Sequence, residues 1–360
     1  MSTATLSSLS PDVTSGPRAP AHAPLAVVVR GDVEESHHLG SVAVVDCEGR
    51  LLHAAGDPFF LTMTRSALKP FQALPFVAAG GPAHYGYTPG EVALLCASHS
   101  GEPRHVEAAA AMLAKAGCRA GELQCGTHAP LAFEIRGEVP PPPPWSPLAH
   151  NCSGKHSGML AFCTQCGWSK DDYLAWDHPL QQRVRHAVAH YAGVDEDALP
   201  WGVDGCSAPN YALPLANLAY AYARLAAGDA DALYGGAART LAEAMSAHPE
   251  MVSGDGRSDL ALATAGRGDF VAKVGAEGIQ AIGVRSRGIG IAIKVADGAA
   301  RGLHPATVTV LDQLGLLDDR QREALAPWRQ PTVRNYRGTA TGEVRPLVVL
   351  DKSDRRRVQK

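Results

Sequence analysis

"TRSALKPFQALP", residues 64–75, is the stretch on which the rest of the chain is read. It sets Ser66 and Lys69 three positions apart and follows them with Pro70. A proline has no amide hydrogen and clashes with the carbonyl four residues back, so it is tolerated only where that carbonyl is not yet committed to a helical ladder. Here that carbonyl belongs to Ser66. The spacing predicts a helix from about residue 67, with Ser66 in or just before its first turn, where orphan amides and the positive end of the dipole favour a developing anion. It also places Lys69 on the same face. One reading is a nucleophile beside its base; the other is the polar edge of an ordinary helix, since a Ser and a Lys at this spacing also meet by chance.

Working outward, "LAVVVRGD" (25–32), "GSVAVVDCEGR" (40–50) and "LLHAAGD" (51–57) read as strands, the last two joined by a tight Glu-Gly turn. From Ser66 to about residue 250 the apolar spacing is helical, with segments such as "RHVEAAAAMLAKAG", "HSGMLAFCTQCG" and "LPLANLAYAYARLAAG" ending in Gly. "VPPPPPWSP" (139–147) interrupts them as an extended loop. Strand character returns in "DFVAKVGAEG" (269–278), "IQAIGVRSRG" (279–288) and "IGIAIKVADG" (289–298), and "HPATVTVLDQLGLL" reads as a closing helix. Strands at both chain ends around a helical middle predict one α/β domain over residues 25–350. It would be built on an antiparallel sheet flanked by helices, with a helical insertion over about 66–250, a disordered leader (1–24) and a basic tail (351–360).

The 360 residues are 46% hydrophobic and 19% charged, with a formal net charge of −3. That balance, with no dense Lys/Arg patch, argues against a nucleic-acid surface. No apolar run approaches the roughly 20 residues a membrane helix needs, and the N-terminus lacks the charged start and apolar centre of a signal peptide. A cytoplasmic protein is expected, with its eight cysteines as thiols or ligands rather than a disulfide framework. The chain has only eight lysines, its other basic residues being arginines. Arg cannot lose its proton in a protein whereas a partly buried Lys can, so lysines are expected where a neutral amine is needed.

Three polar signatures follow in order: Ser66-x-x-Lys69, Ser98-His99-Ser100 and Lys273-Val274-Gly275. Serine β-lactamases and penicillin-binding proteins use S-x-x-K, S-D-N and K-T-G. The first is complete here, the second keeps its leading Ser, and the third has Val in place of Thr. The scheme predicts two Ser–Lys pairs, Ser66 with Lys69 and Ser98 with Lys273, each lysine able to take a serine proton once desolvation and the other ammonium lower its pKa. "HNCSGKHSGM" (150–159) packs Cys152, Lys155 and His156 into a Gly-broken turn, and "GVDGCSAPNYALPL" (202–215) sets Asp204 and Cys206 in another. Buried free cysteine is usually inert packing, but loops so rich in small residues make poor core, and a thiolate pair with N or O neighbours suits Zn²⁺. Cys163-x-x-Cys166 lies in an amphipathic helix with no second pair and reads as core packing.

Together "RSALKPFQALP", "CASHSGE", "HNCSGKHSGML", "GVDGCSAP" and "KVGAEG" resemble the L-asparaginase II family, the thermolabile rhizobial type, over nearly all of the chain after the leader. The resemblance implies a serine β-lactamase-like fold, a homodimer, and hydrolysis of L-asparagine to L-aspartate and ammonia. It implies Ser66 as nucleophile with Lys69, a second tandem of Ser98 and Lys273, zinc on Cys152, Lys155 and Cys206, and Arg65, His156 and Asp204 close to substrate or metal. Val274 removes one hydroxyl donor relative to K-T-G, so β-lactamase carboxylate recognition does not carry over. Glu34, with Arg30 at the edge of the first strand, is a further candidate for substrate binding, against a plain surface pair. The alternatives are a serine-dependent glutaminase or β-lactam-reactive hydrolase of the same fold, and a non-enzymatic zinc-binding module.

Overall fold

The structure is a computed structural model that describes residues 21–228, 231–353 and 357–358. Its strands are β1 (Ala23–Arg30), β2 (Val33–Asp46), β3 (Leu51–Ala55), β4 (Leu61–Met63), β5 (Trp201–Val203), β6 (Pro209–Pro214), β7 (Phe270–Gly275), β8 (Ile279–Val284), β9 (Ile289–Val295), β10 (Thr332–Arg334), β11 (Ala340–Pro346) and β12 (Asp351–Lys352). The main sheet runs β10-β11-β1-β2-β9-β8-β7, with β3 pairing β2 and β12 pairing β3. All its pairings are antiparallel. β4, β6 and β5 form a separate three-stranded sheet.

β2 organises the larger sheet. Its outer half pairs β1, and its inner half lies between β3 and β9. The change of partner falls at Gly40, where a Cβ would stand 2.1 Å from the Lys294 carbonyl oxygen, so only glycine lets the strands meet. Val42, Ala43, Val44 and Val45 are all buried. Val42 and Val44 join Ile291 and Ile293 in one apolar cluster, while Ala43 and Val45 join the helical middle of the chain in another. The period-2 alternation of a strand thus feeds two cores, with helices on both faces of the sheet.

Helix Leu215–Ala227 lies against the sheet across the register pair Gly283–Gly290. A Cβ on Gly290 would come within 1.8 Å of the Ala219 oxygen, and one on Gly283 within 2.5 Å of the Tyr222 oxygen. Two paired glycines therefore let backbone meet backbone, and Tyr222 passes through to donate its hydroxyl to the Ala67 carbonyl at 2.7 Å. That contact ties the sheet-facing helix to the turn holding Ser66.

The expected antiparallel sheet from both chain ends, with its flanking helices, is the observed architecture. The closing helix is Ala300–Gln313, followed by helix Asp319–Arg329 and by β10 and β11 at that end of the sheet, which carry no strong alternation and were not expected. The Cys206 turn is the loop of the β5–β6 hairpin rather than a bare Gly/Pro turn. Most of the expected leader lies outside the described residues, as does part of the basic tail, whose Asp351 and Lys352 pair with β3. Residues 138–146 carry no helix or strand. Among the described residues no helix is long and apolar enough to cross a membrane.

Candidate active site

Ser66 lies in a 3-10 turn, Arg65–Leu68, directly ahead of helix Lys69–Ala78. Pro70 stands in the first turn of that helix, and the Ser66 carbonyl accepts from the Lys69 amide, the tighter bond available once Pro70 cannot donate. Arg65 has φ +48, the left-handed region that a non-glycine residue holds only when its surroundings compel it. Asn210 on β6 does so. Its Oδ1 accepts from the Arg65 amide and its Nδ2 donates to the Arg65 carbonyl, both at 3.0 Å, as a neighbouring strand would. From the other side, β7 presses on the turn at Gly275, where a Cβ would stand 3.0 Å from the Thr64 oxygen. Ser66 is thus half-buried on a strained, clamped turn.

Beneath it the two lysines are buried, Lys69 at 1% and Lys273 at 0% exposure. Lys69 Nζ donates to Ser98 Oγ at 2.9 Å and to the Ala97 carbonyl, with the Asn151 carbonyl at 3.5 Å. Ser98 sits in an extended segment between two others: its amide bonds the Val252 carbonyl at 2.9 Å, and the next amide bonds that of Asn151 at 3.2 Å. Lys273 Nζ donates to its neighbour's carbonyl, Val274, at 2.8 Å and pairs with the Asp259 carboxylate at 3.3 Å. Burial pulls the Lys273 amine down to about 8; Asp259 opposes that pull, while Lys69 and Arg257 add to it.

The pairing departs from the expected one: Lys69 bonds Ser98 rather than Ser66, and Lys273 bonds Asp259 rather than Ser98. The reason lies in the acceptors. Three oxygens from two chain segments gather at the Lys69 amine, and a buried carboxylate outcompetes a hydroxyl for an ammonium. Lys273 nonetheless points inward, close enough to Lys69 for their charges to repel.

The second cluster surrounds Cys206. Lys155 Nζ donates to its sulfur at 3.1 Å, and the neighbouring Cys152, with Lys155 and His156, holds Cys206 far below the usual thiol range against the effect of burial, while the Cys152 thiol itself donates to Asn151 Oδ1 at 3.3 Å. The Cys206 sulfur and burial push Cys152 up. Burial works against the Lys155 ammonium, but the two sulfurs more than offset it and raise its pKa. His156 is buried; its Nδ1 meets Tyr173 Oη at 2.7 Å, and its Nε2 has no hydrogen-bond partner among the described residues although Cys206 is near enough to influence it. Arg65 reaches over this cluster, Nε to Asp204 Oδ1 at 2.8 Å, with Glu277 at 3.8 Å on its open side. Ser66, Lys69, Ser98, Arg65, Asp204, Cys206, Lys155, Cys152 and His156 are linked through these contacts and the chain segments that carry them.

Glu34 is not among them. It stands exposed on the outer half of β2, paired with His37 at 3.1 Å, and Arg30 pairs with Glu35 instead. Cys163 is buried in helix Ser153–Cys166 and Cys166 exposed at its end. Asp259 and Tyr173 also belong to the site, although no local pattern in the sequence singles out a lone Asp in "GRSDLALA", and Asn210, which the sequence places behind Cys206 as a candidate pocket residue, joins them.

Among the described residues no three His, Cys, Asp or Glu side chains are grouped so as to hold a metal ion. A zinc site here therefore needs the Lys155 amine as a donor beside the Cys152 and Cys206 sulfurs. Two sulfurs and the buried His156 Nε2, which has no hydrogen-bond partner among the described residues, suit zinc, but the Lys155 ammonium favoured by those sulfurs must lose its proton before its amine can bind the metal.

The sequence profile of the L-asparaginase II family matches residues 26–346, nearly the whole described chain, and the chain belongs to that family. Its fold is of mixed α/β type built on an antiparallel sheet. No curated protein matches it. Among solved structures it is similar to Mglu in its native form, at 15% identity and TM-score 0.42, covering 78% of this chain and 65% of that one. Mglu in its glutamate form matches at 16% identity and TM-score 0.43, covering 77% and 61%. The chain therefore spans somewhat under two thirds of the length of these structures, and likeness at this level decides nothing about the site.

Proposed function

We propose that the protein is an L-asparaginase of serine β-lactamase-like fold, hydrolysing L-asparagine to L-aspartate and ammonia. The observation that carries the reading is the half-buried Ser66 on a strained turn, above a buried Lys69 that is hydrogen-bonded to Ser98. Ser66 Oγ attacks the side-chain carboxamide carbon and its proton passes to Lys69. Main-chain amides at the helix start receive the oxyanion. The proton then returns through Ser98, with Lys273 behind it, to the departing nitrogen as the C–N bond breaks. Water cleaves the acyl-enzyme.

Arg65, Asp204 and His156 border the path between Ser66 and the thiol cluster, where the substrate's α-amino and α-carboxylate groups would lie. When bound, zinc would supply a Lewis acid for orienting those groups, and Cys152, Lys155 and Cys206 would hold it. The Ser–Lys arrangement provides the nucleophile without it. The working assembly is a homodimer in the cytoplasm, the first of these checked by its mass in solution.

Replacing Ser66 by Ala should abolish ammonia release from asparagine, and an unaffected rate would place the nucleophile elsewhere. Asparagine, glutamine and a chromogenic β-lactam assayed side by side separate this reading from its rivals; preference for either of the others would replace it.

A further inference from the structure

Deepening that reading and resting on it, we propose that Asp259 is a positioning residue of the active site. Acting through Lys273, its buried carboxylate holds that lysine as an ammonium behind the Lys69–Ser98 pair.

The geometry is that of a fixed counter-ion. Asp259 is 2% exposed, at the start of helix Ser258–Gly266. Its Oδ2 accepts from the Val274 amide at 2.9 Å and pairs with Lys273 Nζ at 3.3 Å, while Oδ1 accepts from Gln280 Nε2 at 3.2 Å. Both oxygens are thus engaged from β7 and β8, so the carboxylate cannot swing away from Lys273. A charge with no partner is costly at such depth, and a single carboxylate can balance a single ammonium.

The other titratable and charged groups around the pair are few. Lys69 and Arg257 disfavour the Lys273 proton. Cys96 lies beneath both lysines, its thiol pushed up to about 12 by burial. Tyr222 is raised by burial and then by Asp259, and His304 is lowered to about 4 by burial, with Asp259 opposing. Asp259 is the one carboxylate acting on Lys273 among these groups. No proton is left over in the proposed cycle: the Ser66 proton moves to Lys69 and returns through Ser98 to the leaving nitrogen, and Lys273 keeps its own throughout.

The test is Asp259→Asn, assayed for ammonia release between pH 6 and 10. Without its counter-ion Lys273 binds its proton less tightly, so the alkaline limb of kcat should move down by a pH unit or more. At pH 8.5 kcat should fall about eightfold or more with KM within twofold. An alkaline limb that stays in place refutes the proposal, as does a uniform loss at every pH. Lys273→Met removes the held charge, and adding Asp259→Asn to it leaves a neutral pair that can pack. The double variant should be within twofold of Lys273→Met alone, and a further tenfold loss would show Asp259 acting independently.

A readout that does not need activity separates this proposal from the amidohydrolase reading. A lysine depressed to about 8 when folded and near its ordinary value of 10.5 when unfolded makes stability rise with pH across that window, because the unfolded chain then binds the extra proton. In Asp259→Asn the rise should begin below pH 8, read from urea midpoints. A shifted window without any ammonia from wild type refutes the amidohydrolase reading and the catalytic role with it; wild-type activity with an unshifted window refutes only the Asp259–Lys273 linkage.

Discussion

Asn210→Asp tests whether the strained turn at Ser66 is held by a side-chain clamp. The substitution keeps the shape and exchanges one amide nitrogen for an oxygen. The oxygen that accepts from the Arg65 amide remains, but the donor to the Arg65 carbonyl becomes an acceptor facing an acceptor at 3.0 Å. Asn210 is 1% exposed, so the new carboxylate has almost no water. Losing a buried hydrogen bond costs about 1 kcal/mol net. Desolvation, with no cation in direct contact, should raise the folded-state pKa of the new group by roughly 2 units, or about 3 kcal/mol more once it ionises.

The sign follows from linkage. A carboxyl raised when folded gives stability that is present below its unfolded pKa near 3.9 and lost as pH rises through the folded value. The protonated acid can donate to the Arg65 carbonyl much as the amide did. Urea denaturation should therefore show the variant about 1 kcal/mol less stable than wild type at pH 4.5 and about 4 kcal/mol less stable at pH 8. Ammonia release at pH 8 should fall more than tenfold as Arg65 relaxes from φ +48 and carries Ser66 with it. Equal stability deficits at the two pH values, or full activity at pH 8, would refute the clamp.

Two other changes probe the scaffold and the thiol cluster. Gly290→Ala should lose at least about 3 kcal/mol or fail to fold, since the added carbon would overlap the Ala219 carbonyl at 1.8 Å and backbone cannot yield as a side-chain tip can; thermal unfolding checks it, and a normal midpoint would show that the helix can lift. Cys206→Ser leaves the buried Lys155 ammonium facing a neutral hydroxyl instead of a thiolate at 3.1 Å, so about 3 kcal/mol of stability and any bound zinc should go together, measured by urea denaturation and metal analysis of the purified protein.

The chain's local chemistry announced much of this. Pro70 predicted where the helix after Ser66 could begin, because a missing amide and a ring clash act within four residues. Short apolar runs bounded by glycine around Val42–Val45 and Ile289–Val295 marked strands of the sheet, and both prove buried on their two faces. The Cys152 and Cys206 turns stood out because small-residue loops have little reason to carry thiols. Each of these signals lives inside a window of a few residues.

Which lysine meets which oxygen is a question of a different kind. Lys69 could reach Ser66 by its spacing, yet in space the Ala97 and Asn151 carbonyls and the Ser98 hydroxyl converge on its amine from segments 28 to 82 residues away. Asp259 takes Lys273 only because helix Ser258–Gly266 packs its first turn against β7, and Asn210 clamps Arg65 from 145 residues along the chain. Sequence determined the residue types and the elements that carry them, since both follow from local sterics and periodicity. The pairing of charges and donors was decided by packing alone, because in a buried site a polar group bonds whatever the folded chain brings within about 3 Å.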